Sequence, residues 1–369
     1  MIKILHIISG LGPGGAQTCL LNLIKNTENI SHSVISLGSQ DIYHKILNEL
    51  NVEYFNIPIS TNIISIKNFF ILSKYIQKCT PDIVQTWLYR ADLMGTTANF
   101  LTKHKNRIIW SVRCSDMGGR YEKGMNFVLL KLLIRLSKIP DSIVFNSFSG
   151  AKFHISSGYS PENAVNISNG IDTEVFKSQI SLKNEKRNEL NIPENIFLAG
   201  YVGRYDDVKG HDDFLNIIKK NLDAWGLMVG DGVTKSSRIR EKIKSEKLSD
   251  RIRLFEQRND IPEIMSTFDV FLSASRSEGF PTVIAEAMAC EIPIIATNAG
   301  DTKKILGSDG FISPIGNINE LSNNFLLVKK MSNSERQHLG GKLRKRILDN
   351  YSMEQMIKKY QDLYKKLVS

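Results

Sequence analysis

Short runs of apolar, β-branched residues recur along this chain, each followed by a stretch with apolar residues at helical spacing, and few folds accept that alternation. Strands that are apolar on both faces and joined by helices belong to parallel sheets covered on both sides. Strands are expected near Ile2–Ile8, Ser33–Leu37, Glu53–Ile57, Ile83–Gln85, Arg107–Val112 and Ser142–Phe145. The pattern then restarts near Phe197–Gly203, Trp225–Val229, Ile252–Phe255, Val270–Ser273, Ile292–Ala296 and Gly310–Ile312. Two doubly wound α/β units in series follow from this repetition. The chain has 369 residues, 42% of them hydrophobic, enough for two cores of ordinary size.

The stretch from Ile167 to Lys183 has no strong periodicity and carries the turn signal Asn169-Gly170, so the hinge is expected there. This predicts a first domain over residues 1–177 and a second over 178–351. Residues 352–369 have apolar positions at Met353, Met356, Ile357, Tyr360, Leu363, Tyr364 and Leu367, one stripe of a terminal helix.

Cys19, Cys79, Cys114 and Cys290 are scattered with no Cys-x-x-Cys spacing, which fits free thiols in a reducing compartment. The first eight residues are apolar with a single Lys and no cleavage site follows, so a secretory signal is not expected, and no apolar run is long enough to span a membrane. A cytoplasmic location is the expectation. The formal net charge is +10 and unevenly spread. Between Leu101 and Ile139 nine basic residues (Lys103, Lys105, Arg107, Arg113, Arg120, Lys123, Lys131, Arg135, Lys138) face two acidic ones (Asp116, Glu122), a local +7 that calls for an anionic partner.

Three segments carry chemistry. The first strand ends in Gly10-Leu11-Gly12-Pro13-Gly14-Gly15, a loop that brings backbone close to an anion before a helix from about Ala16. A dinucleotide site also wants an acid after the second strand, where this chain has Leu37-Gly38-Ser39-Gln40. In the second half Gly203-Arg204 closes a strand and Lys209-Gly210 opens the next helix, two cations placed to converge on one diphosphate. Glu278-Gly279-Phe280-Pro281 then leads into a helix over Thr282–Cys290, whose N-terminal amides and dipole favour phosphate. On that helix Glu286 is suited to accept from both hydroxyls of a ribose, while Glu278 precedes it and can reach sugar hydroxyls.

In these segments the chain resembles the group 1, family 4 glycosyltransferases of the GT-B fold, and the resemblance covers nearly its whole length. It includes Gly14-Gly15-Ala16-Gln17, Asn169-Gly170-Ile171-Asp172 with Phe176, Gly203-Arg204 with Lys209-Gly210, Gly230-Asp231-Gly232, and Glu278-Gly279-Phe280-Pro281 through Glu286-Ala287. The resemblance implies two Rossmann-like domains facing a central cleft, the first binding acceptor and the second a nucleotide-sugar donor, with the terminal helix crossing back onto the first. It implies that Arg204 and Lys209 hold the donor diphosphate, Glu286 the ribose and Glu278 the transferred sugar. It further implies that Gly14 and Gly15 approach the phosphates, that Gly279, Phe280, Pro281 and Thr282 shape the donor loop, and that the Gln257-Arg258-Asn259-Asp260 loop lies near the base. Many members carry His in a segment ending His-x-Ser-Asp. Here Trp110 to Asp116 puts Arg113 in that place, a permanent cation that cannot act as a base but can stabilise phosphate or orient a sugar hydroxyl.

No Asp-x-Asp triplet occurs, so the cations must neutralise the leaving group and metal-independent transfer without a cofactor is expected. The resemblance implies retention of anomeric configuration, and the donor expected is a UDP-linked hexose or N-acetylhexosamine. The stretch from Gly124 to Lys138 places Lys131, Arg135 and Lys138 on one helical face, with Phe127, Val128, Leu130 and Ile134 among the remainder. That pattern fits a helix packed on the first sheet. With the extra local charge it also fits peripheral attachment to an anionic membrane at the inner face of the cytoplasmic membrane. There the acceptor would be a lipid-linked saccharide of a surface polysaccharide such as O-antigen. No nucleic-acid partner is expected. The competing readings are an NAD(P)-dependent Rossmann oxidoreductase and a basic membrane- or nucleic-acid-binding protein without catalysis.

Overall fold

A computed structural model describes the chain except for residues 13, 40–41, 60–65, 105 and 114–123, and the side chains of 124 and 125. Cys114, Asp116 and Glu122, with the cations Lys105, Arg120 and Lys123 of the basic stretch, therefore lie outside the described residues, as do Pro13 and Gln40. The chain forms two compact units, Met1–Gly170 with Glu354–Ser369, and Ile171–Met353.

The first unit holds the strands β1 (Ile2–Ile8), β2 (Ile30–Ser36), β3 (Glu53–Asn56), β4 (Ile83–Trp87), β5 (Arg107–Val112), β6 (Ser142–Phe145) and β7 (Ala164–Asn166). They form one parallel sheet in the order β3-β2-β1-β4-β5-β6-β7. The second unit holds β8 (Phe197–Val202), β9 (Ala224–Val229), β10 (Ile252–Phe255), β11 (Val270–Ser273), β12 (Ile294–Thr297) and β13 (Phe311–Ser313). These form a parallel sheet in the order β10-β9-β8-β11-β12-β13. In each sheet the strand order reverses once, between β1 and β4 and between β8 and β11. A crevice opens outside the carboxyl ends of the strands at such a reversal.

The two sheets confirm the doubly wound reading. β12 begins later than the Ile292 expected because Pro293 has no amide for the ladder, although its carbonyl still accepts from the Phe271 amide at 2.9 Å. The short edge strand β7 was not foreseen: its three residues are all half-buried and give no alternating signal. Each sheet is covered on both faces, with the fully buried Trp87 and Trp110 the largest side chains of the first core.

The division between units falls inside the expected hinge, at Gly170/Ile171 rather than after residue 177. The Ile171 amide donates to the Tyr351 carbonyl and the Met353 amide to the Ile171 carbonyl, both at 2.8 Å, and Phe176 packs on the second core. These contacts draw 171–177 into the second unit.

The helix Met353–Val368 packs on the first unit through Met356, Ile357, Tyr360, Leu363 and Tyr364. Burying each large apolar side chain contributes about 1.5–3 kcal/mol, against about 1 kcal/mol net for a hydrogen bond, so burial holds this helix. Hydrogen bonds fix its register: Tyr364 Oη donates to Gln85 Oε1 at 2.5 Å, and Gln85 Nε2 donates to Ser111 Oγ at 2.8 Å.

Two histidines form a directional chain within the first unit. Trp87 Nε1 can only donate, so His6 Nδ1 accepts from it at 3.2 Å. A neutral His6 then carries its proton on Nε2 and donates to His32 Nδ1 at 2.9 Å. His32 Nε2 in turn donates to Thr27 Oγ1 at 2.6 Å, whose own proton goes to the Leu23 carbonyl at 2.7 Å. Burial holds both imidazoles neutral, His6 well below the usual range and His32 down to about 4. Below about pH 6.5 the unfolded chain binds protons that the folded chain refuses. This part of the stability is therefore complete above pH 6.5 and lost as pH falls toward 4. In His32→Gln, which accepts from His6 without titrating, the unfolding midpoint should fall less steeply over that interval than in wild type. Parallel melting curves for the two proteins would refute the assignment.

Candidate functional site

The predicted cations sit at the strand-order reversal of the second sheet. After β8 the chain must turn sharply past β9: a Cβ at Gly230 would lie 1.9 Å from the Gly203 carbonyl oxygen, so no larger residue fits. Arg204 then projects outward, 65% exposed, with Nη2 donating to Asp206 Oδ2 at 3.1 Å. Asp206 also caps the single turn Asp207–Lys209, its Oδ1 accepting from the Val208 amide at 3.2 Å. Gly210 ends the turn at φ +71°, where a Cβ would meet the Ala274 carbonyl at 2.1 Å. These constraints direct Lys209 toward the loop after β11, where its Nζ donates to Glu278 Oε1 at 2.6 Å.

Glu278 is held from behind. Gly300, at φ +56°, lets its backbone come so close that a Cβ would lie 2.2 Å from the Glu278 carbonyl, and the Asp301 amide donates to the Gly279 carbonyl at 3.0 Å. Phe280 is buried against Tyr351, ring centres 5.7 Å apart, and Pro281 leads into the helix Thr282–Ala289. The Thr282 amide is taken by the Phe280 carbonyl at 2.9 Å, so the N-terminus offers fewer open amides than the sequence suggested. Glu286, half-buried on this helix, has a side-chain carboxyl with no hydrogen bond or ion pair among the described residues. Burial pushes its carboxyl up to about 8.

Two further loops complete this edge of the sheet. Glu256, which the sequence reading passed over, ties them together: its carboxylate accepts from the Gly232 amide at 3.1 Å, the Thr234 amide at 2.9 Å and the Thr234 hydroxyl. Those bonds hold its carboxyl at about 2. No local pattern marks a residue whose partners lie more than twenty positions away, whereas Asp206 is legible as a helix-capping residue. Arg258, expected near the base, is paired within the protein. Its Nε and Nη2 donate to Asp260 at 2.7 and 2.6 Å and Nη2 also to Glu189 at 2.9 Å, so it clasps its own loop to the segment before β8.

In the first unit, Gln17 Nε2 donates to the Gly10 carbonyl at 2.8 Å and closes the glycine loop, with Gly14 at the start of the helix Gly15–Asn26. A Cβ at Gly15 would meet nothing within 4 Å among the described residues. Arg113, which the resemblance sets where many members carry His, is tied into its surroundings. Its Nη1 donates to Asn169 Oδ1 at 2.8 Å, its Nη2 to Tyr360 Oη at 2.6 Å, and it lies 4.9 Å from the Trp87 ring centre. It joins β5, the hinge and the returning helix. The helix Gly124–Leu136 divides its apolar residues: Leu130 and Ile134 pack inward around the buried Leu133, while Phe127, Val128 and Leu132 are exposed beside Lys131 and Arg135.

A cavity of about 810 Å³ lies elsewhere, where Ile196, Asp269 and Pro293 lead into β8, β11 and β12. Its charges are largely paired within the protein, Lys183 and Arg187 with Asp269 and Lys329 with Asp223, so volume is no guide to the site here.

The raised Glu286 carboxyl gives a test. The folded chain keeps a proton that the unfolded chain releases near pH 4.5, so this contribution to stability is complete below 4.5 and lost as pH rises to 8. Glu286→Gln should melt progressively higher than wild type as pH is raised across that window. A constant difference in midpoint would show that Glu286 ionises normally.

Two family models match the chain, "Glycosyltransferase Family 4" over residues 13–175 and "Glycosyl transferases group 1" over 183–346. The chain is 25% identical over 99% of both proteins to the O-antigen biosynthesis glycosyltransferase WclY of Escherichia coli. It is 28% identical to the capsular polysaccharide biosynthesis glycosyltransferase CapM of Staphylococcus aureus, covering 84% of this chain and 83% of that one. Among solved structures, Anabaena Alr3699/HepE in complex with UDP superposes with a TM-score of 0.86 at 20% identity, over 99% of this chain and 100% of that one. The matched models span both halves, the sheets have the doubly wound order and the motif residues cluster where that fold binds ligands: the chain belongs to the group 1, family 4 glycosyltransferases of the GT-B fold.

Proposed function

We propose that this glycosyltransferase moves a hexose or N-acetylhexosamine from a UDP-linked donor to a lipid-linked saccharide during assembly of a surface polysaccharide, with retention of anomeric configuration and without a metal. The observation that carries this reading is the Lys209–Glu278 contact of 2.6 Å at the strand-order reversal, with Arg204 on the same loop and the unpaired Glu286 on the helix that follows Glu278. Support for the donor comes from the UDP-bound Anabaena structure. For the acceptor it comes from a relative in Escherichia coli, 26% identical over 81% of this chain, described as a UDP-Gal:alpha-D-GlcNAc-diphosphoundecaprenol alpha-1,3-galactosyltransferase.

In this reading Glu286 accepts from the ribose hydroxyls, and donor binding opens the Lys209–Glu278 pair. Glu278 then meets sugar hydroxyls while Lys209 and Arg204 meet the diphosphate. As the bond from the sugar C1 to the phosphate oxygen breaks, negative charge gathers on the diphosphate, where both cations are already placed. The acceptor hydroxyl oxygen bonds to C1 on the face the diphosphate leaves, and its proton passes to the departing phosphate oxygen. Transfer should persist in excess EDTA, and Arg204→Ala and Lys209→Ala should each lower turnover by on the order of a hundredfold. Wild-type rates in both variants, or loss of activity in EDTA restored by magnesium or manganese, would overturn the mechanism.

Attachment to an anionic membrane is proposed through the outward face of the helix Gly124–Leu136. Phe127, Val128 and Leu132 are 42%, 59% and 37% exposed and flanked by the exposed Lys131, Arg135 and Lys138. Among the described residues no helix is long and apolar enough to cross a membrane. Each cation near an anionic surface contributes about 1 kcal/mol, so Lys131→Glu with Arg135→Glu should lower affinity for anionic vesicles at least roughly thirtyfold. Co-sedimentation at low salt measures this, and equal binding by variant and wild type would remove this face from the proposal.

A further inference from the structure

Beneath the cations lies a polar group that the proposed mechanism leaves unused. Tyr201, on β8 two residues before Gly203, is 3% exposed, and its hydroxyl has no hydrogen-bond partner among the described residues. A buried hydroxyl without a partner costs about 1–3 kcal/mol, and such groups are rare enough in folded proteins to need a cause. The ring itself is well placed for packing, edge-on to His211 at 4.8 Å and to Phe214 at 6.2 Å between centres, so phenylalanine would serve the core as well.

The position of the hydroxyl supplies the cause. A Cβ at Gly203 would lie 2.7 Å from Tyr201 Oη, so the absent side chain at 203 leaves the hydroxyl adjoining the first turn of the diphosphate loop. Glu278, Asp206 and Arg204 are the charged groups close enough to act on it. The hydroxyl thus lies among the residues assigned to the donor's sugar and diphosphate. His211, immediately after Lys209-Gly210, is 5% exposed and likewise has an unpartnered Nε2, so the loop that supplies both cations adjoins two buried rings that each carry a polar atom without a partner.

We propose that Tyr201 is a further donor-site residue, whose hydroxyl donates a hydrogen bond to an oxygen of the bound sugar nucleotide at the junction of sugar and diphosphate. The inference rests on the proposed donor reading and adds a residue to that site. In this proposal the ligand reaches the hydroxyl past Gly203, where the absent side chain leaves room beside it.

Tyr201→Phe separates this from a packing role. The probes are UDP-glucose, UDP-galactose, UDP-N-acetylglucosamine and UDP, with binding measured by calorimetry and turnover measured on the sugar nucleotide that wild type uses. The variant should melt at or above the wild-type temperature without ligand. It should bind the donor sugar nucleotide about tenfold more weakly, and its turnover should fall by at least as much. The loss should shrink when Arg204 is already alanine, because both side chains address one ligand. Unchanged donor binding and turnover in Tyr201→Phe, with wild type binding normally, would overturn the inference alone. Failure of wild type to bind any of the four probes would instead overturn the donor reading on which it rests.

Discussion

The backbone contact between Gly203 and Gly230 constrains everything built at the carboxyl edge of the second sheet. With a Cβ at Gly230 only 1.9 Å from the Gly203 oxygen, the loops after β8 and β9 can leave the sheet together only as bare backbone. The Tyr205 amide then reaches the Asp231 carbonyl at 2.8 Å, and the Gly230 amide reaches the Phe255 carbonyl at 3.0 Å. Three successive loops are thereby fixed to one another before any side chain contributes. Asp206, Glu256 and the Gly300 contact behind Glu278 extend the same bracing outward, so the charged residues stand on a stiff rim. Groups that must meet developing charge gain most from being positioned in advance.

The part of this legible in the sequence is the part encoded locally. Ile2–Ile8, Arg107–Val112, Ser142–Phe145 and Val270–Ser273 coincide with observed strands because apolar runs buried along most of their length have sharp polar borders. Gly203-Arg204, Lys209-Gly210 and Glu278 to Glu286 could be placed because strand-to-helix turns keep their residues close in sequence. Their environments could not be read. Arg113 and Arg258 look alike in a sequence, each a cation following a strand, yet one is bound by Asn169 and Tyr360 and the other by Asp260 and Glu189. Three of those four partners are distant in sequence. Glu256 and Tyr201 escaped for the same reason, since neither a carboxylate accepting distant amides nor a hydroxyl lacking a partner leaves a local mark.

The helix Gly124–Leu136 lies between these cases. Its periodicity could be read, but a stretch of Phe, Val and Leu on nearly every side does not say which of them faces the sheet. Packing around Leu133 decides it, turning Leu130 and Ile134 inward and leaving Phe127, Val128 and Leu132 outside.

The returning helix has a consequence for how the protein is made. Tyr364 bonds to Gln85, 279 positions earlier, so the first unit lacks one wall until the whole second unit has been synthesised. On a ribosome adding residues one by one, Gln85, Ser111 and the Arg113 guanidinium wait in an uncovered groove while some 180 residues of the other unit emerge and fold. Arg113 and the neutral Gln85–Ser111 pair give that waiting surface polar groups that water can satisfy. An all-apolar seam of the same shape would offer a sticky face to neighbouring chains during the delay. The polar seam under Tyr360 and Tyr364 thus suits the order in which the chain appears as well as the finished fold.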